Sequence, residues 1–226
     1  MMNGKLENVG ACVFDAYGTL FDVNAAAAHC KDEIGEKWEA LADIWRMKQL
    51  NYTWLRSLMD EYVGFWQVTG DALDFAMETL GIDDDTLRDR LLSLYKELDA
   101  YSEVPGMLAT LKERGISTAI LSNGTSEMLD SAVGNAGIGE VLDALISVDQ
   151  LKIYKPHPTV YQLAVDQLAL PAERICFMSS NAWDVAGAAN FGFQVVWINR
   201  FGQKRERLPG EFVAELRSLE DLPDLI

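Results

Sequence analysis

VGACVFDAYGTLFD, residues 9–22, decides the fold. VGACVF (9–14) is a short apolar run of strand length, and DAYGTLFD follows it with the carboxylate, glycine and threonine of a turn. Such a run reads as a buried strand that ends in a turn, with Asp15 at its carboxyl end.

Downstream the rhythm changes twice. From about Val23 to Ala100 it is helical: no proline lies between Asn24 and Val104, and only four of the 17 glycines fall between 22 and 100. Trp38, Leu41, Trp45, Tyr52, Leu55, Met59, Tyr62 and Trp66 recur at steps near three, four and seven, which predicts one helix face over 38–66. DALDFAMETL (71–80) and DDTLRDRLLSLYKELDA (84–100) predict two more amphipathic helices, the second capped by Asp83 or Asp84. After Pro105 helices and strands alternate: MLATLKERG, STAILSNG, TSEMLDSAVGNAG, ALISVDQ, PTVYQLAVDQLAL, RICFMSSNAWD, VAGAANFG and FQVVWINR. That alternation predicts the α/β class, a doubly wound parallel sheet with helices on both faces. Strand 9–14 belongs to the same sheet, so the helical block is an insertion. The expected domains are an α/β core, 1–20 and 101–226, and a four-helix-like cap, 21–100.

Composition narrows the function. Of 226 residues 49% are hydrophobic, enough for a sizeable core and too many for a disordered chain. No apolar stretch approaches the roughly 20 residues of a membrane span, and MMNGKLENVG lacks the apolar region of a secretory signal, so a cytoplasmic location is expected. Cys12, Cys30 and Cys176 are odd in number and form no C-x-x-C pair, which argues against a disulfide framework or zinc site. The net charge of −16 argues against nucleic acid or anionic membrane as partners. An anionic ligand needs local positive charge to overcome that field.

In sheets of this kind ligands bind at the carboxyl ends of the strands. There stand Asp15, Ser122 with Asn123, the run Ser179 to Asp184, and Lys155 in the loop before helix 158–169. Each also has a plain structural reading. Asp15 and Thr19 can cap a turn, Ser122 and Asn123 can cap helix 125–136, and Asp184 can cap helix 185–191. His29 and His157 are expected at the surface; no G-x-S-x-G run exists to pair with a histidine.

Four segments taken together, FDAYGTLFD (14–22), LSNG (121–124), YKP (154–156) and SSNAWD (179–184), resemble the motifs of the haloacid dehalogenase superfamily, and the helical block sits where that superfamily places its cap. WRMKQLNYTWLRSLM (45–59) and SSNAWD are similar to the L-2-haloacid dehalogenases (type II) in particular; Asn51, where that family has Glu, departs from the pattern. The resemblance implies a nucleophilic carboxylate at Asp15 that forms a covalent ester later opened by water. It implies that Thr19 hydrogen-bonds the nucleophile or its loop. Asp184 and Asn181 would orient Lys155, Asp15 and the water, with Ser179 and Ser122 in the same catalytic group. Ser122, Asn123 and the N–H groups of Ala16 and Tyr17 would bind a substrate carboxylate. Arg46 would stand over the departing halide, with Leu50, Phe65, Tyr161 and Trp183 as an apolar wall. For these, a solvated arginine and ordinary core packing are the plain alternatives.

Phosphatases of the superfamily carry a second acid two residues after the nucleophile and paired acids for magnesium. Here those positions hold Tyr17 and Ser179, Ser180 and Asn181. A halide leaves without a proton, so Tyr17 fits carbon–halogen cleavage. Asp15 and Asp184 alone make a poor magnesium site. No metal and no cofactor are therefore expected. The reading is hydrolysis of short L-2-haloalkanoic acids to D-2-hydroxy acids, with an anionic 2-haloacid and a halide ion as ligands and a homodimer as the assembly. The alternatives are a magnesium-dependent phosphatase of the superfamily and a non-catalytic interaction module.

Overall fold

The computed structural model describes residues 5–23 and 25–226, so the expectation for the N-terminal leader falls partly on residues outside the described ones. Strand β1 (Ala11–Phe14) is buried at every position and has a parallel neighbour on each side, as an unbroken apolar strand requires. The chain then leaves the sheet for α1 (Ala25–His29), α2 (Lys31–Ile34), α3 (Trp38–Met59), α4 (Phe65–Leu80) and α5 (Asp85–Lys96). It returns through α6 (Val104–Glu113) to β2 (Ser117–Ser122), then α7 (Ser126–Ala136), β3 (Ala144–Ser147), α8 (Pro158–Leu168), β4 (Ile175–Ser179), α9 (Ala182–Phe191), β5 (Gln194–Ile198) and β6 (Ala214–Leu216). Among the described residues the sheet is parallel throughout, in the order β3-β2-β1-β4-β5-β6. This is the expected doubly wound α/β architecture, with a helical insertion after its first strand.

Three boundaries in the insertion differ from the pattern. The single helix face over 38–66 is two helices, because Asp60 takes a left-handed conformation (φ 59°) and the Glu61 N–H turns back to the Arg56 carbonyl at 2.9 Å. Tyr62 and Trp66 continue the apolar rhythm beyond that break, and Trp66 belongs to α4. That helix begins at Phe65, six residues before the DALDFAMETL segment. Helix α5 starts as expected, the Asp84 side chain accepting the Leu87 N–H, but stops at Lys96. Residues 99–101 instead meet the outgoing chain: the Asp22 N–H donates to the Asp99 carbonyl (3.1 Å) and the Tyr101 N–H to the Leu20 carbonyl (2.9 Å). Both crossings between sheet and insertion therefore lie side by side.

The buried side chains form one continuous hydrophobic cluster with members in the sheet and the insertion. Cys12, Cys30 and Cys176 are buried free thiols within it. Among the described residues no helix is long and apolar enough to cross a membrane.

Candidate active site

Strand order reverses between β1 and β4, which makes their carboxyl ends the crevice of the sheet. The Asp15 N–H donates to the Met178 carbonyl (2.9 Å), so the loop after β1 and the loop after β4 start in register. The first loop is a tight turn: the Ala16 carbonyl accepts the N–H groups of Thr19, Leu20 and Phe21. Gly18 sits in it at φ 91°, where a side chain is strained, and a Cβ there would also lie 3.0 Å from Ser180 Oγ. The turn brings Thr19 back onto Asp15. Thr19 Oγ1 donates to Asp15 Oδ2 (3.1 Å) and accepts the Ser180 N–H (2.8 Å), which ties the two loops together.

Asp15 is nearly buried, and its carboxylate receives three donors. Lys155 Nζ lies 3.2 Å from Oδ1, while Asn181 Nδ2 (2.8 Å) and Thr19 reach Oδ2. The Lys155 N–H donates to Asn123 Oδ1 (3.0 Å), and the Lys155 side chain is wholly buried, with Nζ also 2.9 Å from Asp184 Oδ2. Burial alone would lower the Lys155 pKa, but the charges of Asp15 and Asp184 override it and hold the amine above its ordinary value. Asp184 is raised as well, by burial first and by Asp15 beside it, against the pull of Lys155. Asp15 contributes to both upward shifts: two buried carboxylates face one buried ammonium, so the group attracts protons.

Asp184 does not cap its helix. Helix α9 begins three residues earlier than the pattern predicts, at Ala182, and Asn181 is its N-cap residue. The Asp184 N–H donates to the Asn181 carbonyl (2.9 Å), leaving the carboxylate to point inward at Lys155. Its other oxygen accepts the Tyr161 hydroxyl at 2.7 Å. The expectation that Tyr161 is a wall of the cleft is corrected: it is buried against Phe177, Phe191 and Phe193 and holds Asp184 from behind.

Ser122 and Asn123 do not cap the following helix either. Thr125 does, accepting the Met128 N–H (3.2 Å). Ser122 Oγ accepts the Gly124 N–H (3.0 Å), and its hydroxyl proton is not used in that bond. Ser179 Oγ accepts the Asn181 N–H (3.1 Å) and so braces the loop that carries Asn181.

The insertion supplies Arg46, which is not a solvated surface arginine. Its guanidinium donates to Asn181 Oδ1 (3.0 Å), the Tyr17 carbonyl (3.3 Å) and Gln49 Oε1 (2.7 Å). Gln49 was not singled out in the sequence. Its amide donates to Thr69 Oγ1 (2.8 Å) and the Tyr95 hydroxyl (3.1 Å), so α4 and α5 aim Arg46 through it. The available signal was a polar residue one turn after Arg46 on the same apolar face of α3, next to Trp45. Tyr17 stacks on Tyr95 (5.6 Å, 15°) beside Phe65 (5.9 Å), and among the described residues its buried hydroxyl has no partner. Burial, then Tyr95 and Asp15, push that phenol far above its ordinary pKa. The phenol therefore stays protonated at neutral pH. A cleft of about 480 Å³ opens over Arg46 and Asn181, with Leu50 and Trp183 among its lining. Trp183 packs edge-on to Trp54. His29 and His157 lie outside this group; His157 is exposed and caps α8.

Comparison with known proteins gives the same picture. The family model for haloacid dehalogenase-like hydrolases matches residues 9–192. (S)-2-haloacid dehalogenase 1 of Pseudomonas sp. (strain CBS-3) is 49% identical over 98% of each chain, and (S)-2-haloacid dehalogenase 4A of Burkholderia cepacia is 47% identical over 98% of this chain and 96% of its own. The solved L-2-haloacid dehalogenase of Xanthobacter autotrophicus with chloropropionic acid covalently bound superposes with a TM-score of 0.89 at 37% identity, covering 96% of this chain and 98% of that one. A sheet of this order, with a carboxylate at its crevice and relatives alike over nearly the whole chain, has one assignment: the chain belongs to the haloacid dehalogenase-like hydrolase family, among its L-2-haloacid dehalogenases.

Proposed function

We propose that the protein hydrolyses short L-2-haloalkanoic acids to D-2-hydroxy acids through an ester on Asp15. The observation that carries this reading is the environment of Asp15: a carboxylate fixed by Lys155, Asn181 and Thr19, with Arg46 across Asn181 and no acid at position 17. An Asp15 oxygen attacks C2 from the side opposite the halogen. The carbon–halogen bond breaks with inversion and the halide leaves with its electron pair toward the Arg46 guanidinium, which stabilises the growing charge. Ser122, Asn123 and the N–H groups of Ala16 and Tyr17 take the substrate carboxylate. Leu50, Phe65 and Trp183 exclude water from its alkyl side. Water then attacks the ester carbonyl of Asp15 as one of its protons passes to Asp184; the bond between that carbon and the substrate oxygen breaks, the departing alkoxide takes the proton back from Asp184, and the 2-hydroxy acid leaves as the Asp15 carboxylate is restored and the second proton of the water is lost to solvent. A carboxylate whose pKa is raised is the better base for that step.

A magnesium-dependent phosphatase is disfavoured by the same residues. It needs an acid at 17 and further oxygen ligands at 179–181, and Lys155 already neutralises part of the charge on Asp15 and Asp184. In this reading the reaction needs no metal. Residues 21–100 serve as a cap over the crevice, and the protein is cytoplasmic. It pairs as a homodimer through the apolar surface of Met47, Leu55, Leu58 and Met59 on α3, all exposed in the single chain. Halide release from (S)- and (R)-2-chloropropionate, with and without EDTA, tests the activity. Release from the (S) acid alone, unaffected by EDTA, is expected; loss of activity that magnesium restores would return the phosphatase chemistry.

A further inference from the structure

Arg200 stands two residues beyond the end of β5, in a stretch that carries no motif. Its guanidinium donates to the carbonyl of Thr19 (2.8 Å) and to Glu103 Oε1 (2.7 Å), and lies 3.7 Å from the centre of the Tyr101 ring. The ion pair is largely withdrawn from water, its side chains 9% and 15% exposed. Burial would raise the Glu103 pKa, but its own backbone N–H, Arg200 and the Leu219 N–H override that and hold the carboxyl below its ordinary value. The pair is therefore charged on both sides at neutral pH, and its grip on Thr19 is a fixed one.

Thr19 is the residue whose hydroxyl reaches Asp15 Oδ2 (3.1 Å) and accepts the Ser180 N–H (2.8 Å). Arg200 holds the same residue from the opposite side, by its carbonyl. We propose that Arg200 is a positioning residue for the Asp15 nucleophile, acting through Thr19 and anchored by Glu103. The link runs Glu103–Arg200–Thr19–Asp15. Arg200 also lies over Tyr101, whose N–H donates to the Leu20 carbonyl (2.9 Å), at the place where the insertion joins the sheet. The grip thus ties the turn that carries Thr19 to the junction of sheet and helical insertion. A guanidinium suits this place because it forks to two acceptors while stacking on a ring, which an ammonium cannot do.

The proposal rests on the dehalogenase reading, and wild-type halide release tests that reading by itself. The variants test this one. Arg200→Met and Arg200→Lys are measured in steady state and in single turnovers with (S)-2-chloropropionate as probe, with folding followed by circular dichroism. A displaced nucleophile lowers kcat rather than substrate binding, so Arg200→Met is expected to lose roughly 10–100-fold in kcat with little change in KM. Arg200→Lys should recover part of that loss. In a Thr19→Val background, where the hydroxyl link is already cut, Arg200→Met should cost little more, because groups acting in series are not additive. If Arg200→Met does not fold, Glu103→Gln and Arg200→Lys carry the same test, each with a smaller kcat-only loss and the same non-additivity with Thr19→Val. Near-wild-type kcat in the folded variants, or losses that add fully to that of Thr19→Val, overturn the proposal.

Discussion

Lys155 and Asp184 form an ion pair without solvent contact: Nζ lies 2.9 Å from Oδ2 and neither side chain is exposed at all. The same nitrogen lies 3.2 Å from Asp15 Oδ1, so one buried cation serves two buried anions. Removing the cation and removing an anion should therefore have opposite effects. Lys155→Met leaves two carboxylates uncompensated and should destabilise the fold by about 3–5 kcal/mol. Asp184→Asn leaves Asp15 and Lys155 balanced and should melt no lower than the wild type, yet lose ester hydrolysis. Urea denaturation of both variants at neutral pH checks this; a large loss of stability in Asp184→Asn would show that the second anion is needed for folding.

The pH dependence follows from the same imbalance. Asp184 is raised in the folded protein, so the folded chain binds its proton more readily than the unfolded chain does. Its contribution to stability falls as pH rises from the ordinary aspartate value of 3.8 through the raised one. Lys155 is raised too, so its contribution is fully present below its ordinary 10.5 and is lost as pH climbs through the higher folded value. On acidification from neutrality the wild type should gain stability relative to Asp184→Asn while its turnover falls, because protonated Asp184 cannot accept a proton from water. Parallel urea titrations and kcat measurements across the acid range read both trends. A stability difference that is flat with pH would refute the shift.

Two buried tyrosine hydroxyls should behave oppositely. The Tyr17 hydroxyl has no partner among the described residues, so Tyr17→Phe removes a desolvated group and should be neutral or stabilising by up to about 1 kcal/mol. The Tyr161 hydroxyl donates to the Asp184 carboxylate at 2.7 Å, and Tyr161→Phe should cost about 1.5–3 kcal/mol of stability, as bonds to charged groups do. It should also slow ester opening. Thermal melts and single-turnover traces of the two variants separate these outcomes.

Arg46 should act in the transition state more than in binding. Arg46→Ala removes an interaction that grows as the halide departs, and kcat should drop by roughly 10² or more with a smaller change in KM. Gln49→Leu leaves the guanidinium in place but unaimed and strips partners from buried Thr69 and Tyr95. It should lower kcat less and stability more. Near-wild-type kcat in Arg46→Ala would return that residue to a packing role.

What the sequence makes legible depends on whether a role is local. The parallel sheet follows from apolar strands alternating with helices; Asp15, Ser122 and Asn181 stand at or just past strand ends and Lys155 in the loop before α8, and it is the resemblance of the four segments together that marks them as one site. The break at Asp60 is hidden because the apolar rhythm of α3 runs on through Tyr62 and Trp66, and periodicity records spacing, not a left-handed turn. Tyr161 is given as wall only by the resemblance, with core packing as its plain reading; that its hydroxyl meets a carboxylate on α9 is a fact of tertiary packing. Gln49 and Arg200 are missed for the same reason, each being defined by partners far away in the chain.

The last prediction concerns the nucleophile itself. Asp15 is held by three donors in a geometry that suits attack by its own oxygen and equally suits activation of a water. The routes differ in where solvent oxygen goes. In the covalent route the oxygen added to the substrate comes from the Asp15 carboxylate, and solvent oxygen enters the enzyme when water opens the ester. In direct water attack, solvent oxygen enters the product at once. A single turnover in ¹⁸O-water, with enzyme in excess over (S)-2-chloropropionate, should yield unlabelled 2-hydroxy acid and one labelled oxygen in the peptide that carries Asp15. Mass spectrometry of product and digest reads both. Labelled product with unlabelled Asp15 would make water the nucleophile and Asp15 its base. Asp15→Asn cannot replace the isotope experiment, because an amide is both a poor nucleophile and a poor base and the variant should be nearly inactive by either route.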